Sequence, residues 1–208
     1  MSHFFSTIWY LAERRGIKPQ KARESRAAFR KWVQGLGSMP PQRMMKSYAD
    51  KDKFANINPN SPKSIGKMFM YVYDPKHKET LPYYDTFPLI FVVGPAKGGF
   101  YGINFHYLPI PQRLQLMDAL YTIQNNQNYD DNTRIKMSYK ILKGTRKFKW
   151  FLPCFKHYLY SHVRSPYHYV EPKNWEMALM LPVAKWKKQP ASAVHTKSKA
   201  LVKKKYGG

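Results

Sequence analysis

Four side chains that can bind zinc lie within fifteen residues of one another: Cys154, His157, His162 and His168. A structural zinc site uses two close pairs of ligands, and the two pairs here have nearly the required spacing. Pro153 adjoins the first pair, however, and the chain has one cysteine. Surface or hydrogen-bonded histidines are therefore the better interpretation, and the sequence predicts no metal and no cofactor.

Nuclease chemistry would need clustered carboxylates that hold divalent ions. The 12 acidic residues are scattered along the chain. The near pairs are Asp50/Asp52, Asp130/Asp131 and Glu171/Glu176. Asp74 and Asp85 stand beside prolines and are typical of turn residues. The sequence also lacks the phosphate-binding glycine loop, the dinucleotide fingerprint and the HExxH zinc motif. It therefore predicts a protein that is not an enzyme.

Positive charge is the strongest chemical signal in the chain. Lys and Arg total 36 against 12 Asp and Glu, a net charge of +24, which exceeds what the solubility of a small domain requires. Residues 132–170 hold nine basic and no acidic residues, residues 172–208 nine against one, and residues 14–46 ten against one. Because such stretches lack internal partners, folding them costs self-repulsion. A polyanionic partner is the simplest explanation.

Ten basic residues are the candidate contacts to phosphates, chosen by charge and local spacing. Arg23, Arg26 and Arg30 follow one stripe of a predicted helix, beside an apolar stripe that would face the core. A solvated basic face is the plainer alternative for this one helix. The other candidates are Lys143, Arg146, Lys147, Lys149 and the tail lysines Lys203, Lys204 and Lys205.

Aromatic residues alternate with lysine in residues 147–170, KFKWFLPCFKHYLYSHVRSPYHYV. This alternation is typical of a nucleic-acid-binding surface, where aromatic rings stack on bases and lysines bind phosphates. It equally suits an ordinary core, and core packing is favoured for each single ring. The amino-terminal segment has no basic region of an export signal, and no apolar window approaches the roughly 18 residues of a membrane span. We therefore expect synthesis in a cytoplasm and no membrane partner.

The elements that must position these residues belong to an α+β fold. Residues 3–36 predict two helices joined near Gly16–Pro19. Runs rich in β-branched and aromatic residues predict strands at 67–73, 87–94 and 99–108, the last two as a hairpin with a bulge or bend near Gly102. In the first run, three apolar residues alternate with three aromatic ones. We interpret the rings as the core of a small curved antiparallel sheet.

The carboxyl-terminal half predicts helices around that sheet. A helix follows Pro111, residues 134–142 are a strand or a loop–helix boundary, and residues 147–165 are a helix interrupted or begun near Pro153. The last helix has Pro172 near its first turn. The predicted domains are a helical basic arm (1–47), an irregular linker (48–65), an α+β core (66–187) and a basic flexible tail (188–208).

Four segments resemble a family of minor virion proteins of contractile-tailed, T-even-like phages, the DNA end protectors. They are SRAAFRKWV (25–33), YDPKHKETLPYYDTFPLIFVV (73–93), GGFYGINFHYLP (98–109) and HVRSPYHYVEPKNWEMALMLP (162–182). The resemblance covers about residues 25–185, and its most specific part runs from YDPK to NFHYLP.

The resemblance implies a non-enzymatic protein that binds the end of packaged linear double-stranded DNA at the head or neck and protects it from host exonuclease. It also implies a place in the virion, after synthesis in the host cytoplasm, with other virion proteins of the head-neck or tail as partners. Phosphate contacts without base readout would suit spread Lys and Arg residues. The resemblance supplies no individual site residues.

Two other classes of function stay open. The chain could be a structural head-neck or tail component whose basic surface faces DNA or acidic virion proteins, without end specificity. A nuclease or a ribosome-associated RNA binder would share the basic composition. A requirement for divalent ions would identify the nuclease, and a preference for RNA would identify the RNA binder.

Overall fold

The structure is a computed structural model that describes residues 3–17, 23–37, 61, 64–124, 126–145 and 149–206. The helices in these residues are α1 His3–Arg14, α2 Arg23–Gln34, α3 Ile110–Gln124, α4 Asp131–Gly144, α5 Trp175–Met180 and α6 Ala191–Tyr206. The strands are β1 Met68–Met70, β2 Tyr84–Asp85, β3 Leu89–Ala96, β4 Gly99–Asn104, β5 Phe155–Leu159, β6 His168–Val170 and β7 Trp186–Lys187. The predicted α+β class is confirmed.

Five strands form an antiparallel sheet in the order β5-β4-β3-β1-β6, and β2 pairs with β7 in a second, two-stranded sheet. The predicted hairpin is β3–β4, and its register shifts between Val92 and Gly94, opposite the glycine at 102 where a bend was expected. Gly99 is required by close approach, because a Cβ there would lie 1.8 Å from the carbonyl oxygen of Tyr158. This contact lets β5 pair closely with β4.

Side chains alternate between two apolar layers, one on each face of the five-stranded sheet. Met68 and Met70 belong to the larger layer, on the face that the helices cover. Phe69 and Tyr71 belong to the smaller layer, which is rich in tyrosine and is covered by rings from residues 160–169. The prediction that the rings of the central region form a core is confirmed. Tyr83 and Phe87, which could have formed an exposed patch, are also buried.

The amino-terminal helices join the same larger layer. Phe5 and Ile8 of α1 and Phe29 and Val33 of α2 are buried in it, and the rings of Trp9 and Phe29 stack with centroids 5.1 Å apart. The two predicted helices are thus present, and α2 packs through the apolar stripe that its spacing indicated. The domain boundaries predicted at residues 47, 65 and 187 stay predictions, and most of the proposed linker lies outside the described residues.

Several segments differ from their sequence prediction. The strand predicted at 99–108 ends at Asn104, and Phe105–Tyr107 form a 3₁₀ turn instead. Residues 155–159 form the edge strand β5, not a helix, because Phe155 and Tyr158 reach the two opposite apolar layers, which a strand allows. The ambiguous stretch 134–142 is part of helix α4, which begins after Asp130 accepts a hydrogen bond from the Thr133 amide. The predicted flexible tail contains helix α6, because Val194 is fully buried against the core. Among the described residues, no helix is long and apolar enough to cross a membrane.

Candidate nucleic-acid interface

An open groove lies between helix α4 and the edge of the five-stranded sheet. Its volume is about 820 Å³. We call it the α4–sheet groove, and its lining residues are Val93, Gly94, Tyr101, Lys140, Lys143, Gly144, Phe155, Lys156 and His157. The lining residues of α4 and β5 come from the stretch 132–170, which holds nine basic and no acidic residues. Three of those nine basic residues, Lys140, Lys143 and Lys156, line the groove.

A hydrogen bond, buried side chains and a ring contact hold helix α4 against the sheet. The hydroxyl of Tyr139 donates to the carbonyl oxygen of Val93 at 3.0 Å. Leu142 is fully buried in the larger apolar layer, and the ring of Tyr139 stacks on Phe91 with centroids 6.4 Å apart. Lys140 and Lys143 follow these two contact residues in the sequence, and both lysines stay exposed beside the groove.

The sheet side of the groove presents an aromatic pair. Tyr101 of β4 and His157 of β5 are directly opposite in the register, and their ring centroids are 5.4 Å apart at an interplanar angle of 45°. The Nε2 atom of His157 lies 3.1 Å from the carbonyl oxygen of Lys97 in the hairpin turn, which fixes that ring. Tyr101 is 50% exposed, whereas Ile103, two residues along the same face, is fully buried. The helices cover this face at Ile103 and leave it open at Tyr101.

The charge of the groove is positive without a nearby carboxylate. None of its nine lining residues is acidic. Lys140 and Lys143 are exposed, and the ammonium group of Lys143 lies 5.7 Å from the centroid of the Tyr139 ring. No ion pair joins either lysine to a carboxylate among the described side chains. Their charges are available to an anion in the groove.

Lys156 differs from the other two lysines. Its ammonium group lies 4.0 Å from the centroid of the Tyr107 ring, a cation–π distance. Burial lowers the pKa of Lys156 to about 8, and the nearby Cys154 offsets this in part. Because its ammonium group already contacts a core ring, Lys156 supplies less of the outward-facing charge than Lys140 and Lys143.

One group of predicted phosphate contacts is at this groove. Lys143 lines it, and Lys149 begins the 3₁₀ turn Lys149–Cys154 that leads into β5, although its side chain is not among those described. Arg146 and Lys147 lie outside the described residues. Lys140 and the Tyr101–His157 pair were not among the predicted residues. The signal that could have identified Lys140 is its i, i+3 spacing from Lys143 on one helix.

The arginine stripe of α2 has a structural role that the sequence did not reveal. Arg26 and Arg30 are only 7% and 9% exposed. The guanidinium groups of both contact Asp118 of α3, at 3.0 and 2.9 Å, and Glu176 of α5. The prediction that these two arginines face outward is wrong, because carboxylates of two other helices neutralise them inside a helix–helix contact. The side chain of Arg23 is not among those described.

The tail lysines end helix α6. Lys203 and Lys204 are exposed in its last turn, and the side chain of Lys205 is not among those described. The helix is attached at its middle, where the Tyr83 hydroxyl and the Ser198 hydroxyl lie 3.0 Å apart. Lys203 and Lys204 are thus presented by a helix and not by an extended tail.

The family model of the phage T4 terminal DNA protecting protein matches residues 20–202 of the chain. The chain belongs to this family. The match extends over α2 to α6 and therefore includes both walls of the α4–sheet groove. Searches of curated proteins and of solved structures found no match. The family identity carries the role of protecting terminal DNA, and the suspected resemblance to DNA end protectors is confirmed.

The segment from Tyr73 to Pro109 contributes to a buried polar network. Asp85, 4% exposed, contacts His106 Nδ1 at 2.6 Å and accepts a hydrogen bond from Asn104 Nδ2 at 3.1 Å. It also accepts from the backbone amides of Phe87 and Lys185, at 3.0 and 3.2 Å. Burial raises the pKa of Asp85, but the charge and hydrogen bond of His106 and the other donors outweigh it, so the pKa lies below its usual value. Asp85 is more than the turn residue that the sequence predicted.

Arg113 completes this network from helix α3. Its guanidinium group donates to the carbonyl oxygens of Leu108, His106 and Leu179, at 2.8, 3.1 and 3.0 Å. Burial lowers its pKa to about 10. The network has no open access to solvent, since Asp85, His106 and Arg113 are all buried. The network therefore acts inside the scaffold, where it joins Asp85, His106 and helix α3.

The four zinc-ligand candidates do not converge. His157 lies on β5 and His168 on β6, at the two opposite edges of the five-stranded sheet. Cys154 is buried, and burial raises the pKa of its thiol to about 12. Within the described part of the chain, no three metal-ligating side chains form a group. These residues are better described as parts of the core and the surface.

Proposed function

We propose that this protein binds the end of packaged linear double-stranded DNA at the phage head or neck and shields it from host exonuclease. The observation that carries the proposal is the family match over residues 20–202. In this proposal the protein acts by occupying the end and not by catalysis. It is a virion component made in the host cytoplasm, and other head-neck or tail proteins are its neighbours.

The electrostatics of the fold support phosphate binding. The carboxylates of Asp118 and Glu176 neutralise Arg26 and Arg30, so the remaining excess of positive charge is carried by other surfaces. The α4–sheet groove combines exposed lysines with an acid-free lining. Contacts to phosphates give affinity without sequence preference, which a protein for one fixed DNA end tolerates. The proposed contacts are Arg23, Lys140, Lys143, Arg146, Lys147, Lys149, Lys203, Lys204 and Lys205.

The alternative function is that of a structural head-neck or tail component. Its basic surface would pack against DNA or acidic virion proteins without preference for an end. The buried Asp85 network and the helix–helix ion pairs suit either role, because both functions need a rigid scaffold. The two functions differ in one measurable property, the preference for DNA ends over closed DNA.

A protection assay tests the proposal. Linear and nicked-circular duplexes of equal length are incubated with protein at several salt concentrations, and a processive exonuclease is then added to the linear DNA. We expect protection of linear DNA at protein concentrations that leave circles largely unbound, with affinity that falls steeply as salt rises. Equal binding to both forms together with unimpeded digestion would favour the structural role.

A control separates end occupancy from inhibition of the nuclease. A second linear DNA is added together with the exonuclease, in excess over the protein, after the first DNA has been bound. Occupancy predicts that the first DNA survives while the second is digested. Survival of both DNAs would instead show that the protein inhibits the enzyme directly.

A further inference from the structure

The ring of Tyr101 is unusual among the aromatic side chains of the sheet. The large apolar side chains described as exposed are Tyr10, Leu11 and Tyr101, and the first two lie on helix α1. Tyr101 instead stands on an interior strand of a sheet whose other tyrosine and phenylalanine rings are buried or half-buried. Exposure of a tyrosine at this position leaves apolar ring surface in water next to three lysines. Such surface next to cations is what a nucleobase with its phosphate can cover.

The two exposed tyrosines differ in their electrostatic surroundings. The cleft beside Tyr10 is lined by two carboxylates, Glu13 and Glu171, and by one lysine, Lys173, whose ammonium group pairs with Glu171 at 2.9 Å. The carboxylates outnumber the lysine and repel a phosphate group. The α4–sheet groove beside Tyr101 has no acidic lining residue. Charge complementarity therefore favours the groove beside Tyr101 as the place where a nucleic acid binds. Tyr10 is a matched control, because it is a similarly exposed tyrosine in an acidic cleft.

The geometry of the groove favours a terminal nucleotide over the interior of a duplex. Inside a duplex each base stacks on neighbours on both faces, so it offers no free face to a protein ring. A terminal base offers one. Tyr101 likewise has one side engaged by His157, with centroids 5.4 Å apart, and keeps half of its surface open. The groove volume of about 820 Å³ is within the usual range for sites that enclose small organic ligands.

We infer that the α4–sheet groove binds the terminal nucleotide of a DNA end. Tyr101 stacks on the terminal base, and the ammonium groups of Lys140 and Lys143 bind the adjoining phosphates. The two lysines are three residues apart on α4, so they project from neighbouring positions on one side of the helix. The inference rests on the proposed function and adds to it the place and the physical basis of end selection. Because every base has a π-face, this recognition would be independent of sequence.

The test compares DNA with open ends and DNA whose ends are closed by hairpin loops. The variants are Tyr101→Ala, Tyr101→Phe, which keeps the ring, and Tyr10→Ala as the matched control. The fluorescent base 2-aminopurine is placed at the terminal position or at the centre of the duplex, since stacking on a protein ring changes its fluorescence. Each variant is first checked for the wild-type melting temperature.

For the wild-type protein we expect tighter binding to open than to closed DNA, and a fluorescence change at the terminal position alone. Tyr101→Ala should reduce this end preference about tenfold while leaving the affinity for closed DNA unchanged, given the usual contribution of one stacked base. Tyr101→Phe and Tyr10→Ala should both behave like the wild type. The double variant Lys140→Gln/Lys143→Gln should weaken binding to open ends more than the exposed-lysine control Lys76→Gln does.

The outcomes distinguish the inference from the proposed function. A wild-type protein without end preference would overturn both. A wild-type end preference that Tyr101→Ala retains, with the terminal fluorescence change intact, would overturn the inference and leave the proposed function standing. Equal loss of end preference in Tyr101→Ala and Tyr10→Ala would also contradict it, because the effect would then not belong to the groove.

Discussion

At the scale of single residues, His168 makes the stability of the fold depend on pH. It lies on β6 opposite Met70 and is 8% exposed. Burial lowers its pKa from 6.5 to about 4. The unfolded chain therefore takes up this proton at a higher pH than the folded chain does. The stability that the neutral side chain contributes is complete above pH 6.5 and is lost as the pH falls from 6.5 to about 4.

We expect His168→Gln to flatten the dependence of the free energy of unfolding on pH between 6.5 and 4. The difference between wild type and variant over this window should be at most about 3 kcal/mol. Urea unfolding at several pH values measures it. His195 is half-buried, and burial also lowers its pKa. His195→Gln should therefore change the slope in the same direction but less, and identical slopes for His168→Gln and wild type would contradict the assignment.

At the scale of elements, sequence patterns predicted the parts of the fold whose signal is local. The alternation from Met68 to Tyr73 and the turn-flanked hairpin predicted strands at the right places, although the observed β1 and β4 are shorter than predicted. Successive residues of β1 meet one or the other of two apolar layers, which is a local signal. Strand β5 was missed because its pairing partner β4 is more than fifty residues away. Arg30 pairs with Asp118 and Glu176, which lie 88 and 146 positions away in the sequence. The helix pattern contains no information on such distant partners, so it predicted that Arg30 faces outward.

The candidate site was predicted in part for the same reason. Lys143 was predicted as a phosphate contact from its charge and its local spacing, both of which can be taken directly from the sequence. Tyr101 and His157 became neighbours through the β4–β5 register, which no local pattern encodes. Helix α6 was missed because its buried stripe runs through Val194 and Ser198, and a buried serine breaks the apolar periodicity that marks a packed helix.

Helix α6 should be a separately removable element of the fold. Its described anchors are the buried Val194, the Ser198–Tyr83 hydroxyl contact, and a hydrogen bond from His195 Nε2 to the His106 carbonyl oxygen at 3.0 Å. Val194→Asp puts an unpaired charge into the core contact, so we expect residues 191–206 to lose hydrogen-exchange protection while β3 and β4 keep theirs. Ala200→Asp adds the same charge at an exposed position of α6 and should change nothing comparable. Protection retained in Val194→Asp would show that the helix does not depend on this anchor.

At the scale of the whole molecule, 36 Lys and Arg residues face 12 Asp and Glu residues, a net charge of +24. Most of the cations therefore have no carboxylate in the chain to pair with. The carboxylates of Asp118 and Glu176 serve two arginines, and Asp85 is fully used by its buried network. The acid-free stretch 132–170, which includes most of α4 and all of β5, is left to repel itself in the free protein. A polyanion that binds this surface should therefore also raise the stability of the folded protein.

This balance predicts opposite effects of salt on the free and the DNA-bound protein. Added salt screens self-repulsion over about 10 Å at 0.1 M, so the melting temperature of the free protein should rise with salt. Linear duplex DNA should raise the melting temperature at low salt, and this increment should shrink as salt weakens the phosphate contacts. Thermal unfolding with and without DNA across a salt series measures both trends, with uncharged dextran as the control polymer. A melting temperature of the free protein that falls with salt would contradict this prediction. It would show that the attractive ion pairs of Arg26 and Arg30 contribute more to stability than the surface repulsion costs. Surface repulsion would then give no reason to expect a polyanionic partner.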